Sequence, residues 1–105
     1  MKQLAQSALA TGSGTLLYTV PTGFATDVMQ IDIANTSSSS ITCAIHIVPL
    51  SGSVTTANML FPAVTIPAKT LVQWAGSQHM VAGGFIQGIG GSSGITVTIS
   101  GDEAR

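Results

Sequence analysis

The chain has 105 residues, of which 45% are hydrophobic and 7% are charged, and its formal net charge is −1. A chain of this length folds as one domain, and the composition excludes intrinsic disorder, which requires low hydrophobicity together with high net charge. Nucleic-acid binding is also excluded, because it depends on clustered Lys and Arg side chains, and this chain has three, at positions 2, 69 and 105.

The first fourteen residues are predicted to form an N-terminal arm that precedes a sandwich domain at residues 15–105. Residues 1–10 lack the continuous apolar core of a secretory signal, and no later apolar run approaches the roughly 20 residues of a membrane span. Residues 3–9 could form one helical turn, an extended arm or an edge strand. The sequence Gly-Ser-Gly at 12–14 is expected to act as a hinge.

Period-two alternation predicts the next strands. Residues 15–20 form a strand that stops at Pro21 and Gly23, and residues 29–33 and 41–47 alternate apolar with small or polar side chains. The intervening Asn-Thr-Ser-Ser-Ser-Ser at 35–40 favours a turn, because Asn and Ser side chains bond to nearby backbone groups. These two segments are therefore predicted to pair as antiparallel neighbours, with the single cysteine, Cys43, as a small core residue.

Period-two alternation also occurs in the second half of the chain. A short strand or turn is predicted at 57–61 and a short strand at 64–66. Longer strands are predicted at 70–75, 85–89 and 95–100, with a Gly-rich connector at 90–94. No window shows a sustained helical stripe. The sequence thus predicts an all-β protein, a single antiparallel β-sandwich of jelly-roll or Ig-like type with seven or eight strands. Its expected core contains Ile31, Ile33, Ile45, Ile47, Val97 and Ile99.

Few residues could carry chemistry. The titratable side chains away from the ends are Asp27, Asp32, His46 and His79, and acid–base catalysis needs two of them to converge. Asp32 and His46 could meet as a structural pair across neighbouring strands. No His or Cys spacing supplies the three or four ligands of a metal site, and the Gly-rich segments lack the Lys and the helix of a phosphate-binding loop. We therefore expect no enzymatic activity, no metal and no cofactor.

A carbohydrate-binding module remains an alternative of a different class. Such sandwiches stack an exposed aromatic ring on a sugar face, and Trp74 and Tyr18 are the candidates for that role. Trp74 could equally lie in the core or in a subunit interface.

Four short motifs, in order, carry a family resemblance: Leu-Tyr-Thr-Val-Pro-Thr-Gly at 17–23, Ile-Ala-Asn-Thr-Ser at 33–37, His-Ile-Val-Pro-Leu-Ser-Gly at 46–52 and Ile-Thr-Val-Thr-Ile-Ser-Gly at 95–101. Over residues 15–103 the chain resembles a family of small tailed-bacteriophage virion proteins. The resemblance implies a single β-sandwich that builds or decorates the particle without enzymatic activity. The chain departs from the family pattern at residues 74–87, which are neutral and rich in Gly and Met where a shorter segment with an acidic residue is expected.

The resemblance and the scarcity of charge together predict a virion protein, made in the host cytoplasm, that decorates the capsid; a neck, tail or fibre component is the alternative. The expected partners are further copies of the chain, as a homo-oligomer and specifically a trimer, and the major capsid protein. Residues 1–14 would lie over a neighbouring copy or the capsid surface. The candidate contact residues are Leu4, Leu9, Trp74, His79, Met80 and Phe85.

Overall fold

The computed structural model describes residues 2–9, 11, 14–54 and 56–105, which form eight strands and one turn of 3-10 helix. The predicted all-β antiparallel sandwich is confirmed. No helix in the described ranges is long and apolar enough to cross a membrane. The strands are β1 (Lys2–Ala8), β2 (Thr15–Thr19), β3 (Ala25–Asn35), β4 (Ile41–Val48), β5 (Met59–Ile66), β6 (Thr70–Val81), β7 (Phe85–Gly90) and β8 (Ile95–Ala104).

Two four-stranded antiparallel sheets face each other. Sheet A has the order β1, β8, β3, β6, and sheet B has the order β2, β7, β4, β5. The first strand pairs with the last, the second with the seventh, the third with the sixth and the fourth with the fifth. The chain is thus one long hairpin rolled into two layers, which is the eight-stranded jelly roll. This order decides between the two sandwich types that the sequence allowed.

The predicted hairpin of β3 and β4 is wrong. These strands lie in opposite sheets. β7 and β8 also lie in opposite sheets, and the predicted Gly-rich connector joins them. Asp32 and His46 therefore belong to different sheets and do not pair. Alternation tells which side of a strand faces the core, but the partner of a strand depends on contacts far away in the chain.

The corner between β3 and β4 is organised by Asn35, which is 2% exposed. Its Nδ2 donates hydrogen bonds to the carbonyl oxygens of Ser39 (2.8 Å) and Ile66 (3.0 Å), and its Oδ1 accepts one from the backbone N–H of Ser37 (3.0 Å). The predicted role of Asn and Ser side chains in ending the ladder is confirmed here. The same side chain also ties the corner to the end of β5.

A bulge in β3 changes which residues face inward. Val28 is fully buried before it and Ile31 after it, and the strand register shifts between Val28 and Gln30. Met29, which the alternation placed inward, is only half-buried. On β8, Gly101 lies opposite the bulge, and a Cβ there would collide with the carbonyl oxygen of Asp27. The bulge therefore requires glycine at that point.

Five of the six predicted core residues are completely buried: Ile31, Ile33, Ile45, Val97 and Ile99. Ile47 is an exception, because it packs against the core but is only half-buried. The pairing of β4 with β5 ends at His46, opposite Met59, one residue before Ile47. Cys43 is buried as predicted, and burial raises the pKa of its thiol to about 11.

Residues 2–8 form an edge strand of sheet A, one of the conformations that the sequence left open for this segment. β1 pairs with β8, and the backbone N–H of Leu9 donates to the carbonyl oxygen of Ile95 at 3.0 Å. Leu9 itself is buried, and Leu4 packs against the core. Most of the predicted hinge at 12–14 lies outside the described residues.

Candidate interaction surfaces

The two sheets differ sharply in charge. The four strands of sheet B contain no charged residue, whereas the charged residues of the chain belong to sheet A, to its ends or to the turn between β5 and β6. They are Lys2, Asp27, Asp32, Lys69, Asp102, Glu103 and Arg105. Since consecutive strands other than β4 and β5 lie in different sheets, this separation is not visible in the linear sequence.

The outer side of sheet B is uncharged and largely apolar. The strand register places Leu16 beside Gln87, and Ala44 beside Ile89, on the outward side, with Phe85 one row further along. Leu16 is 62% exposed, Phe85 and Ile89 are half-buried, and Ala44 is buried beneath its neighbours. We call this surface, formed by Leu16, Ala44, Phe85, Gln87 and Ile89, the uncharged face.

The outer side of sheet A is polar by comparison. Its outward residues are mainly Gln, Thr and Ser, and Gln6 Nε2 donates to Thr98 Oγ1 at 3.2 Å. Near the middle of this side Asp32 accepts hydrogen bonds from Gln30 Nε2 at 2.9 and 3.2 Å. The polar side chains thus satisfy one another across the strands.

His46 has a structural role on sheet B. It is 9% exposed, and its Nδ1 lies 2.9 Å from the Oδ1 of Asn58. Asn58 Nδ2 in turn donates to the carbonyl oxygen of Ser53 at 2.8 Å. The connection between β4 and β5 is therefore anchored on His46.

Five charged residues gather at the end of sheet A where β1 begins and β8 ends. We call this end the charged pole; it comprises Lys2, Asp27, Asp102, Glu103 and Arg105. Lys2 Nζ lies 2.6 Å from Glu103 Oε1, and the Arg105 guanidinium lies 4.8 Å from the centre of the Phe24 ring. Both cations of the pole are thus engaged within the chain.

Tyr18 links this pole to sheet B. Its hydroxyl donates to Glu103 and lies 2.8 Å from Thr26 Oγ1. Burial and the hydrogen bond to Glu103 raise the pKa of Tyr18 to about 12, and the contact with Lys2, followed by that with Tyr18, lowers the pKa of Glu103. The network of Lys2, Glu103, Tyr18 and Thr26 joins four strands across both sheets.

Asp27 and His79 form the second polar contact of the pole. Asp27 Oδ1 lies 2.8 Å from His79 Nδ1, and Asp102 lies opposite Asp27 on the neighbouring strand. The side chains of His79 and Asp27 are 63% and 47% exposed. Among the described residues, no three His, Cys, Asp or Glu side chains are grouped closely enough to hold a metal ion.

A cleft of about 430 Å³ opens beside this pair, where the edge strands β5 and β6 diverge. Apolar side chains line most of it, including Ile47, Met59, Leu60 and Met80, while polar side chains on it come from Asn58, Gln78 and His79. Val81, one of its apolar lining residues, is 50% exposed. The half-buried state of Ile47 follows from this opening.

The opposite end of the sandwich carries the turn between β5 and β6. Lys69 lies in this turn with φ 56°, and its backbone N–H donates to the carbonyl oxygen of Ser37 at 3.2 Å. Leu71 follows on β6 and is 58% exposed. We call residues 67–71 the β5–β6 corner.

The six predicted contact residues do not form one surface. Leu9 and Met80 are buried in the core, and Leu4 and Trp74 pack against it from the two opposite edges of sheet A. His79 lies at the cleft, and Phe85 on the uncharged face. Sequence reasoning missed the exposed residues Leu16 and Leu71; their only signal was an apolar side chain at an outward position of a strand.

Comparison with known proteins identifies no relative of this chain. No family model, no curated protein and no solved structure shows a significant match to this chain.

Proposed function

We propose that this protein is a non-enzymatic structural protein of a tailed-bacteriophage virion, which decorates the capsid by binding the major capsid lattice and associating with its own copies. A place in the neck, tail or fibre is the alternative location. The observation that carries the proposal is the uncharged face, because an entire sheet without charged residues is suited to lie against other protein.

Desolvation supports this use of sheet B. Removing a charged side chain from water costs far more than removing a hydroxyl or an amide, unless the charge finds a partner. Covering Leu16, Phe85 and Ile89 would instead be favourable, by about 25 cal/mol for each Å² of apolar surface. A lattice partner can therefore cover this face without matching any charge on it.

The architecture is compatible with this function, although it does not determine it. Jelly rolls occur in viral capsid domains and also in lectins, and one fold can serve unrelated functions. The virion assignment itself comes from the four motifs at 17–23, 33–37, 46–52 and 95–101.

The carbohydrate-binding alternative finds no support at its candidate residues. Trp74 packs against the core, and a Cβ on Gly76 would lie only 3.0 Å from the Trp74 ring. The Tyr18 hydroxyl is engaged with Glu103 and Thr26. These contacts favour a structural role for both side chains.

The proposal is tested by locating the protein in cryo-electron micrographs of the parent particle, and by adding purified protein to particles that lack it. Leu16→Lys places a charge on the uncharged face, and Gln73→Lys places the same charge on an exposed residue of sheet A. We expect Leu16→Lys to abolish particle binding and Gln73→Lys to retain it, with both variants folded by circular dichroism. The absence of the protein from the particle would refute the proposed function, and equal effects of the two variants would refute the role of the face.

A further inference from the structure

The cleft and the β5–β6 corner each expose apolar surface beside charged side chains, and those charges are of opposite sign. The cleft is a concave apolar opening, whereas the corner presents an exposed leucine, Leu71, beside a single lysine. The edge strand β6 contributes residues to both features. Leu71 is near its start and Met80 near its end, nine residues away, or about 30 Å at 3.3 Å per residue.

Their charges are also complementary. The charged pole beside the cleft carries Lys2 and Arg105 against Asp27, Asp102 and Glu103, which sums to −1. The far end carries Lys69, which has no carboxylate partner among the described residues. The molecule therefore has a negative end with an apolar cleft and a positive end with an exposed leucine.

We propose that copies of this chain associate head to tail, with Leu71 of one copy inserted in the cleft of the next and Lys69 directed to Asp27 at its rim. This inference rests on the self-association included in the proposed function and specifies its geometry. The contact joins two different patches, so repeating it generates a closed ring or an open filament. A ring of three copies would be the predicted trimer.

The two parts of the contact have different roles. Burial of Leu71 against Ile47, Met59 and Leu60 supplies the affinity, because it removes apolar surface from water on both sides. The pairing of Lys69 with Asp27 supplies orientation, since charge complementarity at a rim mainly selects the arrangement of the partners. Leu16, the other strongly exposed leucine on a strand, has no lysine or arginine on its own sheet and lies outside this contact.

The inference is tested by sedimentation velocity of the full chain and its variants. Leu71→Gln is expected to weaken association roughly ten- to a hundredfold, the effect of exposing one leucine to water. Lys69→Asp and Asp27→Lys should each weaken it roughly tenfold by placing like charges together. The double variant Lys69→Asp/Asp27→Lys should restore association, which no effect on folding alone would do.

Gln73→Lys and Asp32→Lys, on the outer side of sheet A, are the controls and should leave sedimentation unchanged. Unchanged association of Leu71→Gln would overturn the inference, and so would failure of the double variant to recover. If Leu16→Lys abolished self-association instead, the copies would be joined through the uncharged face. Particle binding is measured in a separate experiment. A wild-type protein that is monomeric but still decorates particles would refute only the head-to-tail contact. A head-to-tail assembly that is absent from particles would refute only the virion function.

Discussion

Ile45 and Ile47 lie two residues apart on β4 and point to the same interior, but only Ile45 is completely buried. Ile47 lines the cleft, where part of its surface is already in contact with solvent. Replacing Ile45 by Ala should lower the free energy of unfolding by about 2–5 kcal/mol, the range for a buried aliphatic side chain. Ile47→Ala should cost clearly less, and equal losses in urea denaturation would contradict the opening between β5 and β6.

Tyr18 gives a second prediction at this scale, because it is the only tyrosine in the chain and can be titrated by its ultraviolet absorbance. Its pKa is raised to about 12, so folding favours the protonated phenol. This contribution to stability is fully present below pH 10, the ordinary value, and is lost as the pH rises through 12. Glu103→Gln should move the midpoint down toward 10, where the unfolded chain titrates; a midpoint near 10 in the folded wild type would contradict the network.

The pKa of Glu103 is shifted in the opposite direction to that of Tyr18. Its pKa is lowered, first by Lys2 and then by Tyr18, so its contribution to stability is present above the ordinary glutamate value of 4.5 and is lost as the pH falls through the lowered pKa. Thermal unfolding of the wild type should therefore show an acid limb that is shallower in Glu103→Gln. Asp32→Asn, whose carboxylate contacts Gln30, is the control for a general loss of negative charge.

At the scale of the elements, each of the four edge strands contains an extra residue relative to its inner partner. The register shifts lie between Gln3 and Ala5 in β1, between Leu16 and Tyr18 in β2 and between Ala75 and Gln78 in β6. β5 has two, between Met59 and Phe61 and between Phe61 and Val64. Bulges twist an edge and interrupt its row of free backbone groups, which hinders pairing with a strand of another molecule. This arrangement favours association through faces, clefts and corners over addition of strands.

Ala63, in the bulge of β5, tests this description. It follows Pro62 and has φ 53°, a left-handed conformation that costs a non-glycine residue about 1–2 kcal/mol. Glycine loses about 0.5–1 kcal/mol of conformational freedom on folding, so Ala63→Gly should stabilise the protein by roughly 0.5–1 kcal/mol. Ala34→Gly, in the regular part of β3, should instead destabilise it. A lower melting temperature for Ala63→Gly would show that the bulge does not hold this conformation.

The sequence predicted those elements in which local information is sufficient. The inner faces of β4 and β8 follow from strict alternation, and the corner at Asn35 from turn-forming side chains. The bulge at Met29 left no signal, because one extra residue only reverses the alternation. The cleft and the uncharged face could not be predicted either, since both depend on which strands share a sheet, and that is decided by distant contacts.

At the scale of the whole molecule, charged residues are few, and they are distributed unevenly among the surfaces. Sheet B is neutral, one end of sheet A is acidic overall, and Lys69 stands at the other end. Like-charge repulsion normally helps to keep copies of a protein apart, and here it is weak everywhere except at the charged pole. Two acidic ends should therefore avoid each other, which leaves unlike ends and the uncharged face as the surfaces that can meet.

Self-association should accordingly respond little to salt. The Debye length falls from about 30 Å at 0.01 M to about 8 Å at 0.15 M ionic strength, but the proposed contact contains one ion pair, Lys69 with Asp27, next to an apolar insertion. A single exposed pair contributes up to about 1 kcal/mol, so screening it should weaken association by no more than roughly fivefold. Sulfate should strengthen association, because it is excluded from apolar surface.

Sedimentation of the wild type and of Lys69→Asp across that range of ionic strength provides the measurement. The variant should be weakest at low salt, where repulsion from Asp27 is unscreened, and the difference from the wild type should shrink as salt is added. Leu71→Gln should remain weak at every ionic strength, because salt does not restore buried apolar contact. A steep, many-fold loss of wild-type association with salt would instead show that charged residues outside this contact hold the copies together.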